Sequence, residues 1–225
     1  MSNVFLICPL IIIIINKFIL YYIMKFFITH YTKLNDRYNH IVNQMKNVGI
    51  EDYEIIKSHN RDDLTENELS KFSKISSSEI SLFLKHVEIF KTAPEDEIIV
   101  VFEDDAILCE NFMDKMHLYL SQLENVKWDA LFPGECCNLH DVPEPNTNIK
   151  KSNGSRGTCM YILNVGVGKQ LYDIFNKQSI ISRPIDWWFN GIINEYGMHY
   201  YWSEPTLVSQ GSELLFKTSI KHSQF

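Results

Sequence analysis

The sequence lacks the cysteine spacing of a zinc site or of a disulfide framework. Its five cysteines are an odd number, contain no CxxC pair and have no paired histidines nearby: Cys8, Cys109, Cys136, Cys137 and Cys159. Zinc sites and disulfide-rich folds both depend on such spacings. The adjacent Cys136 and Cys137 are interpreted as reduced thiols, which favours a reducing compartment or a fold that does not depend on disulfides.

The sequence also lacks an excess of positive charge and any visible internal repeat. It has 21 Lys and Arg against 28 Asp and Glu, which gives a formal net charge of -7. A chain of this charge has no overall electrostatic reason to bind a polyanion, so nucleic acid is excluded as a partner. An acidic enzyme that acts on phosphates needs a cation.

Length and composition predict one globular domain. The chain has 225 residues, of which 45% are hydrophobic and 22% are charged, which is enough to bury one sizeable core. We assign residues 24–215 to this domain, residues 1–23 to a hydrophobic N-terminal extension and residues 216–225 to a frayed tail.

The N-terminal segment has three interpretations. Residues 4–24 are long and apolar enough to span a bilayer, although Lys17 interrupts them and no positive charge precedes them. The segment is a membrane anchor or signal, a dispensable or non-native extension before Met24, or part of the core. The expected localisation is therefore cytoplasmic, or membrane-associated through this segment.

Hydrophobic periodicity predicts alternating strands and helices. Ser76 and Glu79 have the spacing of a capping box, and Asn35 or Asp36 can cap the first helix. The polar stretch 59–77 is interpreted as a surface loop, as is the polar stretch 138–156. Strands are expected over 24–29, 53–56, 98–102, 130–132 and 158–163, and helices over 35–47, 76–93, 112–123 and 168–175. This order indicates a mixed α/β sheet flanked by helices.

Three carboxylates directly follow the most hydrophobic of these strands. Residues 98–102 read IIVVF, as expected of a central strand covered on both faces, and Glu103, Asp104 and Asp105 come next. In open α/β sheets, ligands bind outside the carboxyl ends of the strands. Side chains at positions i and i+2 of an extended chain point to the same side, so Glu103 and Asp105 can hold one hard cation.

An acidic triplet is only moderately specific, because phosphatases, nucleases and nucleotidyltransferases carry similar clusters. It is also compatible with a solvated strand end whose acids cap a turn. A divalent ion held here can bridge the diphosphate of a nucleotide sugar and neutralise charge on the leaving nucleotide.

The chain resembles glycosyltransferase family 25, which includes lipooligosaccharide and procollagen galactosyltransferases. Residues 79–86 (EISLFLKH), followed by IIVVFEDDAIL, resemble a family helix with the pattern Glu-x-Gly-Cys-x-x-Ser-His and its Leu-Glu-Asp-Asp strand end. Further likenesses run in order from about residue 25 to 210: FITHY with Arg37, WDAL at 128–131, GTCMYIL at 157–163, PID at 184–186 and PTLVSQ at 205–210. The chain departs from the pattern at Ser81, Leu82 and Lys85, which leaves the donor and acceptor preference open.

The resemblance implies a GT-A-like fold, Mn²⁺ or Mg²⁺ as cofactor, and an inverting displacement. It favours UDP-galactose as the donor and a glycan or a hydroxylysine-type side chain as the acceptor. Glu103 and Asp105 are the expected metal ligands. The residues expected to bind the donor are Thr29, Arg37, His86, Asp104 and Arg156.

An inverting step needs a base that removes the proton of the acceptor hydroxyl. Asp186, which precedes Trp187 and Trp188, is the candidate for this base or for a second carboxylate at the metal. Asp186 is equally compatible with a helix N-cap, and the two tryptophans with core packing as well as with stacking on a sugar.

Three of the residues expected to bind the donor have further interpretations. His86 is compatible with a buried core histidine, and Arg37 with a solvated helix residue. Arg156 lies in a loop between Gly154 and Gly157 that could close over the donor.

The sequence thus predicts a metal-dependent inverting transferase that moves a hexose from a UDP-sugar to a hydroxyl. The alternative is a non-catalytic relative that keeps the fold for binding or adhesion. A metal-dependent phosphohydrolase is a further rival, but the sequence shows no nucleophilic Asp flanked by Ser or Thr and Lys.

Overall fold

A seven-stranded mixed sheet forms the centre of the protein. The computed structural model describes residues 24–136 and 139–218, and the strand order is β2-β1-β3-β7-β5-β8-β6. These strands are β1 (Met24–Thr29), β2 (Tyr53–Ile56), β3 (Ile98–Glu103), β5 (Ala130–Phe132), β6 (Ile149–Ser152), β7 (Met160–Leu163) and β8 (Tyr200–Ser203). A separate pair joins β4 (Ala106–Leu108) to β9 (Val208–Gln210).

Seven helices lie within the described residues. They are α1 (Asn35–Asn47), α2 (Glu66–Ser70), α3 (Ser77–Thr92), α4 (Phe112–Ser121), α5 (Val167–Lys177), α6 (Ile185–Tyr196) and α7 (Gly211–Leu214). The sheet is parallel from β2 through β1 to β3, and it becomes antiparallel where β3 meets β7.

Side chains of the central strands alternate between two hydrophobic layers, one on each face of the sheet. In β3, Ile99 and Val101 join the layer that contains α3, α5 and α6. Val100 and Phe102 join the layer that contains α1 and α4. Every residue of β3 is buried, as the continuous apolar run predicts for a strand covered on both faces. The predicted mixed α/β single domain is therefore confirmed.

The capping box predicted for α3 is present. The Ser76 hydroxyl accepts a hydrogen bond from the backbone N–H of Glu79, and the Glu79 carboxylate accepts one from the N–H of Ser76 at 2.7 Å. The predicted cap of α1 is wrong, because Leu34 is the N-cap and no side chain caps that end. The N–H of Tyr38 instead bonds the Leu34 carbonyl at 3.0 Å.

Two stretches interpreted as loops contain regular structure. Helix α2 lies inside the first polar stretch, because Thr65 and Glu68 form a second capping box that stabilises a short helix. Strand β6 lies inside the second stretch, where Lys150 and Lys151 pair with β8 at the edge of the sheet. Lysines are common on edge strands, where they oppose further pairing.

The expected localisation needs correction. Within residues 24–136 and 139–218, no helix has both the length and the apolar character needed to cross a membrane. Met24, the last residue of the proposed membrane segment, is the first residue of β1 and is buried in the core. The rest of the predicted N-terminal extension lies outside the described residues.

Candidate active site

The acidic triplet lies where two parallel strands end side by side. Thr29 at the end of β1 pairs in register with Glu103 at the end of β3, so the following residues of both strands meet at one edge of the sheet. A cavity of about 410 Å³ lies at this edge, and its walls include Thr29, His30, Arg37, Lys85, Glu103, Asp104, Asp105, Asp186 and Trp187. This is the edge of the sheet at which α/β proteins bind their ligands, and a ligand site here stays a prediction.

Asp104 is buried and accepts hydrogen bonds or ion pairs on both carboxylate oxygens. Its Oδ2 is 2.8 Å from Nδ1 of His30 and accepts a hydrogen bond from the backbone N–H of Tyr31 at 3.3 Å. Its Oδ1 accepts from the Arg37 guanidinium at 3.3 Å. Asp104 therefore ties the loop after β1 to the end of β3.

Asp105 is the most buried member of the triplet. Its Oδ2 accepts from the Arg37 guanidinium at 3.3 Å and from the backbone N–H of Ser212 at 3.0 Å. Its Oδ1 is buried and has no hydrogen-bond partner among the described residues. Burial raises the pKa of Asp105, and the nearby Arg37 guanidinium opposes this rise.

Glu103 is held by a residue just before the neighbouring strand, β7. Its Oε1 accepts a hydrogen bond from the Thr158 hydroxyl at 2.5 Å and lies 3.9 Å from Nε2 of His86. Burial, followed by the charge of Asp105, raises the pKa of Glu103 above its usual range. The charge of Asp104 likewise raises the pKa of Asp105. The buried carboxylates therefore form a local excess of negative potential, which a cation would relieve.

The triplet is not a solvated strand end. The side chains of Glu103, Asp104 and Asp105 are only 11%, 8% and 2% exposed. Buried charged groups need partners, and the Arg37 guanidinium supplies one to both aspartates. The sequence-based alternative of capping acids in solvent is therefore wrong.

Arg37 is likewise not a solvated helix residue. It projects from the first turn of α1, is 6% exposed, and donates from its second terminal nitrogen to the Lys217 carbonyl at 2.9 Å. Its charge is already shared between Asp104 and Asp105. Its predicted contact with a nucleotide phosphate stays a prediction, and any such contact has to be made alongside these two ion pairs.

The residues present fit a cation that the substrate helps to coordinate. Within residues 24–136 and 139–218, no three His, Cys, Asp or Glu side chains form a group able to hold a metal ion by themselves. Mg²⁺ sites in enzymes that bind phosphates commonly use one or two carboxylates, with substrate phosphates and water as the other ligands. The carboxyl of Glu103 and the Asp105 oxygen that has no partner in the described part of the chain meet that requirement.

Asp186 lies in the first turn of α6 and is half-buried. The N-cap of this helix is Pro184, so the interpretation of Asp186 as the N-cap is wrong. A carboxylate in the first turn is stabilised as an anion by the helix dipole. Asp186 lines the main cavity and also a smaller adjoining cavity of about 150 Å³.

The two adjacent tryptophans have different environments. Trp187 is 57% exposed and lines both cavities. Trp188 is 4% exposed and packs edge-on against Phe83, with ring centroids 5.3 Å apart. Both sequence interpretations thus apply, each to one residue: Trp188 belongs to the core, and Trp187 is available to a ligand.

Two predicted donor-binding residues do not line the main cavity. His86 is fully buried beneath the triplet, with Nδ1 2.7 Å from the Tyr161 hydroxyl oxygen, and burial lowers its pKa to about 3. It has the environment of the core histidine that we considered as its alternative.

Arg156 is fully buried and pairs with Glu204, and it donates to the Ser203 carbonyl at 2.9 Å. Its guanidinium stabilises the loops beside β8, and in this structure Arg156 does not line the main cavity. The predicted role in a loop that closes over the donor has no support from its position.

Sequence reasoning missed three contributors to the site. Lys85 was noted only as a departure from the family pattern, yet it is 2% exposed and lines the cavity. The backbone N–H of Ser212 and the ring of Phe216, 5.3 Å from the guanidinium of Arg37, come from a segment far along the chain. Its departure from the family pattern was the signal that the sequence offered for Lys85.

Residues 216–218, which we assigned to the tail, contact this site. The Lys217 carbonyl accepts from Arg37, and Thr218 lines the cavity. The remainder of the predicted tail lies outside the described residues.

A family model covers most of the chain. Residues 23–187 match the family model described as glycosyltransferase family 25 (LPS biosynthesis protein). One solved structure, described as a glycosyltransferase involved in the glycosylation of the major capsid of PBCV-1, aligns over 83% of this chain and 93% of that chain. The sequence identity is 12% and the TM-score is 0.49. No curated protein matches the chain significantly.

Proposed function

This chain belongs to glycosyltransferase family 25, and from that premise we propose that it transfers a hexose from a UDP-sugar to a hydroxyl group with inversion at the anomeric carbon. The observation that supports this proposal is the buried Asp105 oxygen that has no hydrogen-bond partner among the described residues, in a cavity whose wall contains both Asp105 and Glu103. Galactose as the sugar and a GT-A arrangement of the domain are further parts of the proposal, taken from the family resemblance.

The proposal assigns a divalent cation, Mn²⁺ or Mg²⁺, to Glu103 and Asp105. When bound, such an ion neutralises negative charge on the departing diphosphate. The chain's own residues fix the two carboxylates: the Thr158 hydroxyl holds Glu103, and the Ser212 N–H holds Asp105. Asp104 contacts the His30 imidazole and the Arg37 guanidinium and so sets the position of the loop after β1.

Asp186 is proposed as the base that accepts the proton of the attacking hydroxyl. Its place in the first turn of α6 favours the carboxylate form, and it lies in the wall shared by the two cavities. A base has to reach both the acceptor hydroxyl and the reacting centre. A residue between a larger and a smaller cavity meets that requirement if the donor occupies the larger one.

The smaller cavity is proposed to receive the sugar residue that carries the attacking hydroxyl. Its volume of about 150 Å³ is on the order of one hexose ring, and the exposed face of Trp187 forms part of its wall. Aromatic side chains offer sugars an apolar surface beside polar groups. A glycan is therefore favoured over a protein side chain as the acceptor.

The test is UDP release from a panel of UDP-sugars in the presence of Mn²⁺ and a panel of glycan acceptors. We expect sugar-selective turnover that is lost on addition of EDTA and is reduced at least about 100-fold in Asp105→Ala. Glu110→Ala is the matched control, since this acid lies after β4 and is exposed.

Three other results would change the proposal. Turnover that survives EDTA would refute the metal dependence. Turnover that survives in Asp186→Asn would refute Asp186 as the base. Absence of donor binding under every condition would favour the non-catalytic alternative, in which the fold serves binding or adhesion.

A further inference from the structure

The cavity contains a lysine that the proposed transfer mechanism does not use. Lys85 lies on the face of α3 that packs against the sheet, and only 2% of the residue is exposed. Its aliphatic chain and its ammonium group are both removed from bulk solvent, yet the residue forms part of the cavity wall. Lysine is almost never fully buried unless it is paired.

The partners of the Lys85 ammonium are neutral. Nζ donates to the Ser58 carbonyl and to Oδ1 of Asn60, the latter at 3.4 Å. Among the described residues, no carboxylate lies within 4.0 Å of Nζ, whereas Arg37 in the same cavity contacts two aspartates. Lys85 is therefore a buried positive charge whose counter-ion is not supplied by the described part of the chain.

The lack of a nearby counter-ion is accompanied by a lowered pKa of Lys85. Burial lowers the pKa of the Lys85 ammonium to about 8, and the more distant Asp104 and Asp63 only partly oppose this effect. An anion that binds beside a buried ammonium gains a strong electrostatic attraction, because folding has already removed the water around the lysine.

We propose that Lys85 Nζ binds a phosphate oxygen of the donor's diphosphate. The assignment rests on the proposed function for the identity of the ligand, and on burial and geometry for the site itself. Lysine is a common phosphate ligand because its ammonium is a compact charge with three donors. Lys85 and the cation at Glu103 and Asp105 would then neutralise the diphosphate together from within one cavity.

The loops that hold Lys85 support this role. The Asn60 side chain donates to Oγ1 of Thr32 at 3.0 Å, which links the loop after β2 to the loop after β1. Lys85, which belongs to α3, thus lies next to the carboxyl ends of the parallel strands β1 and β2. This is the edge of the sheet at which α/β proteins bind their ligands.

The experiment is titration calorimetry with inorganic pyrophosphate and with UDP, each in EDTA and in Mn²⁺. The protein is compared with Lys85→Met and with Lys91→Met, a matched control on the same helix whose lysine side chain is 52% exposed. We expect Lys85→Met to weaken the binding of both ligands at least about tenfold in EDTA, and Lys91→Met to leave both affinities unchanged.

A second readout separates a phosphate contact from an indirect structural effect. Because free Lys85 is about half protonated near pH 8, an anion that binds it draws in about half a proton at that pH. Titrations at pH 8 in two buffers of different ionisation enthalpy measure this uptake. We expect the original protein to take up about half a proton more than Lys85→Met does on binding pyrophosphate.

Equal pyrophosphate affinity in the original protein and in Lys85→Met would overturn the proposal. So would a loss of affinity without the difference in proton uptake, since Lys85 would then act only through the fold. Binding of pyrophosphate but not of UDP would leave the Lys85 site standing and would refute the UDP-sugar donor. Binding of UDP with equal affinity in the original protein and in Lys85→Met would support the UDP-sugar donor and refute the Lys85 site.

Discussion

Replacing Lys85 with methionine should change how the stability of the protein depends on pH. Burial lowers the pKa of Lys85 from 10.5 to about 8, and each pH unit of such a difference is worth about 1.36 kcal/mol. The full effect is about 3 kcal/mol, and solvent that reaches the ammonium through the cavity reduces it to about 2 kcal/mol.

The sign follows from which state holds the proton. Between pH 8 and 10.5 the unfolded chain keeps Lys85 protonated while the folded protein releases that proton. The contribution of Lys85 to the free energy of unfolding therefore increases with pH across this window. Below pH 8 both states are protonated, and the folded state carries the full penalty of the buried charge.

The variant lacks this dependence. At pH 7 the relief of a buried charge in Lys85→Met is opposed by the loss of a donor to the Ser58 carbonyl, which costs about 1–3 kcal/mol, so the two proteins should be similarly stable. At pH 10.5 the original protein should be the more stable one by about 2 kcal/mol.

Urea unfolding curves at pH 7, 8.5, 9.5 and 10.5 measure the difference between the two proteins. Tyrosine and cysteine residues also titrate in this range, but they are common to both proteins and cancel in the difference. A difference that stays constant from pH 7 to pH 10.5 would refute the reasoning, because it would mean that the ammonium is as well solvated in the fold as in water.

Three further predictions, which use four substitutions, concern other contacts of the structure. Arg37→Met should lower the free energy of unfolding by about 3–5 kcal/mol, because it leaves two buried aspartates without their shared cation; a denaturation curve within about 1 kcal/mol of the original would contradict this. Trp187→Ala should raise the KM for a glycan acceptor about tenfold or more with an unchanged melting temperature, since the ring is 57% exposed; an altered donor KM alone would refute the acceptor assignment. Gly211→Ala should destabilise the protein by about 1–3 kcal/mol, since the added Cβ would lie 2.4 Å from the backbone oxygen of Asp105. Gly191→Ala in α6, where the added Cβ would lie 3.5 Å from a guanidinium nitrogen of Arg183, should instead stabilise it by about 0.5–1 kcal/mol. Equal melting temperatures for the two glycine variants would show that the contact at Asp105 is relaxed at no cost.

Local patterns predicted the elements that have strong local causes. The strand before Glu103 is short, apolar and β-branched, and the helix after Ser76 begins with a capping box, so both could be located from neighbouring residues alone. Helix α2 was missed because its capping box occurs in a polar stretch with no apolar periodicity. Strand β6 was missed because an edge strand with two lysines lacks the hydrophobic pattern of a central one.

The site was predictable where the chemistry is contiguous in sequence and not where it is assembled from distant segments. Glu103 and Asp105 could be named because they follow one strand. The contact of Asp105 with the Ser212 N–H joins residues 107 positions apart, and no local pattern encodes it. His86 and Arg156 were predicted to bind the donor because they are polar residues near family-like motifs. Their burial and their partners instead indicate that they stabilise the fold.

The return of residues 211–218 to the acidic triplet has a consequence for the order in which the site can form. Arg37 and Lys217 are 180 positions apart and are joined by one hydrogen bond. During synthesis, the strands that position the triplet emerge well before the segment that completes its surroundings. A nascent chain can therefore assemble most of its sheet while Asp105 still lacks a backbone donor. Contacts of such long sequence separation form slowly, so the cavity should reach its final shape in one of the last steps of folding.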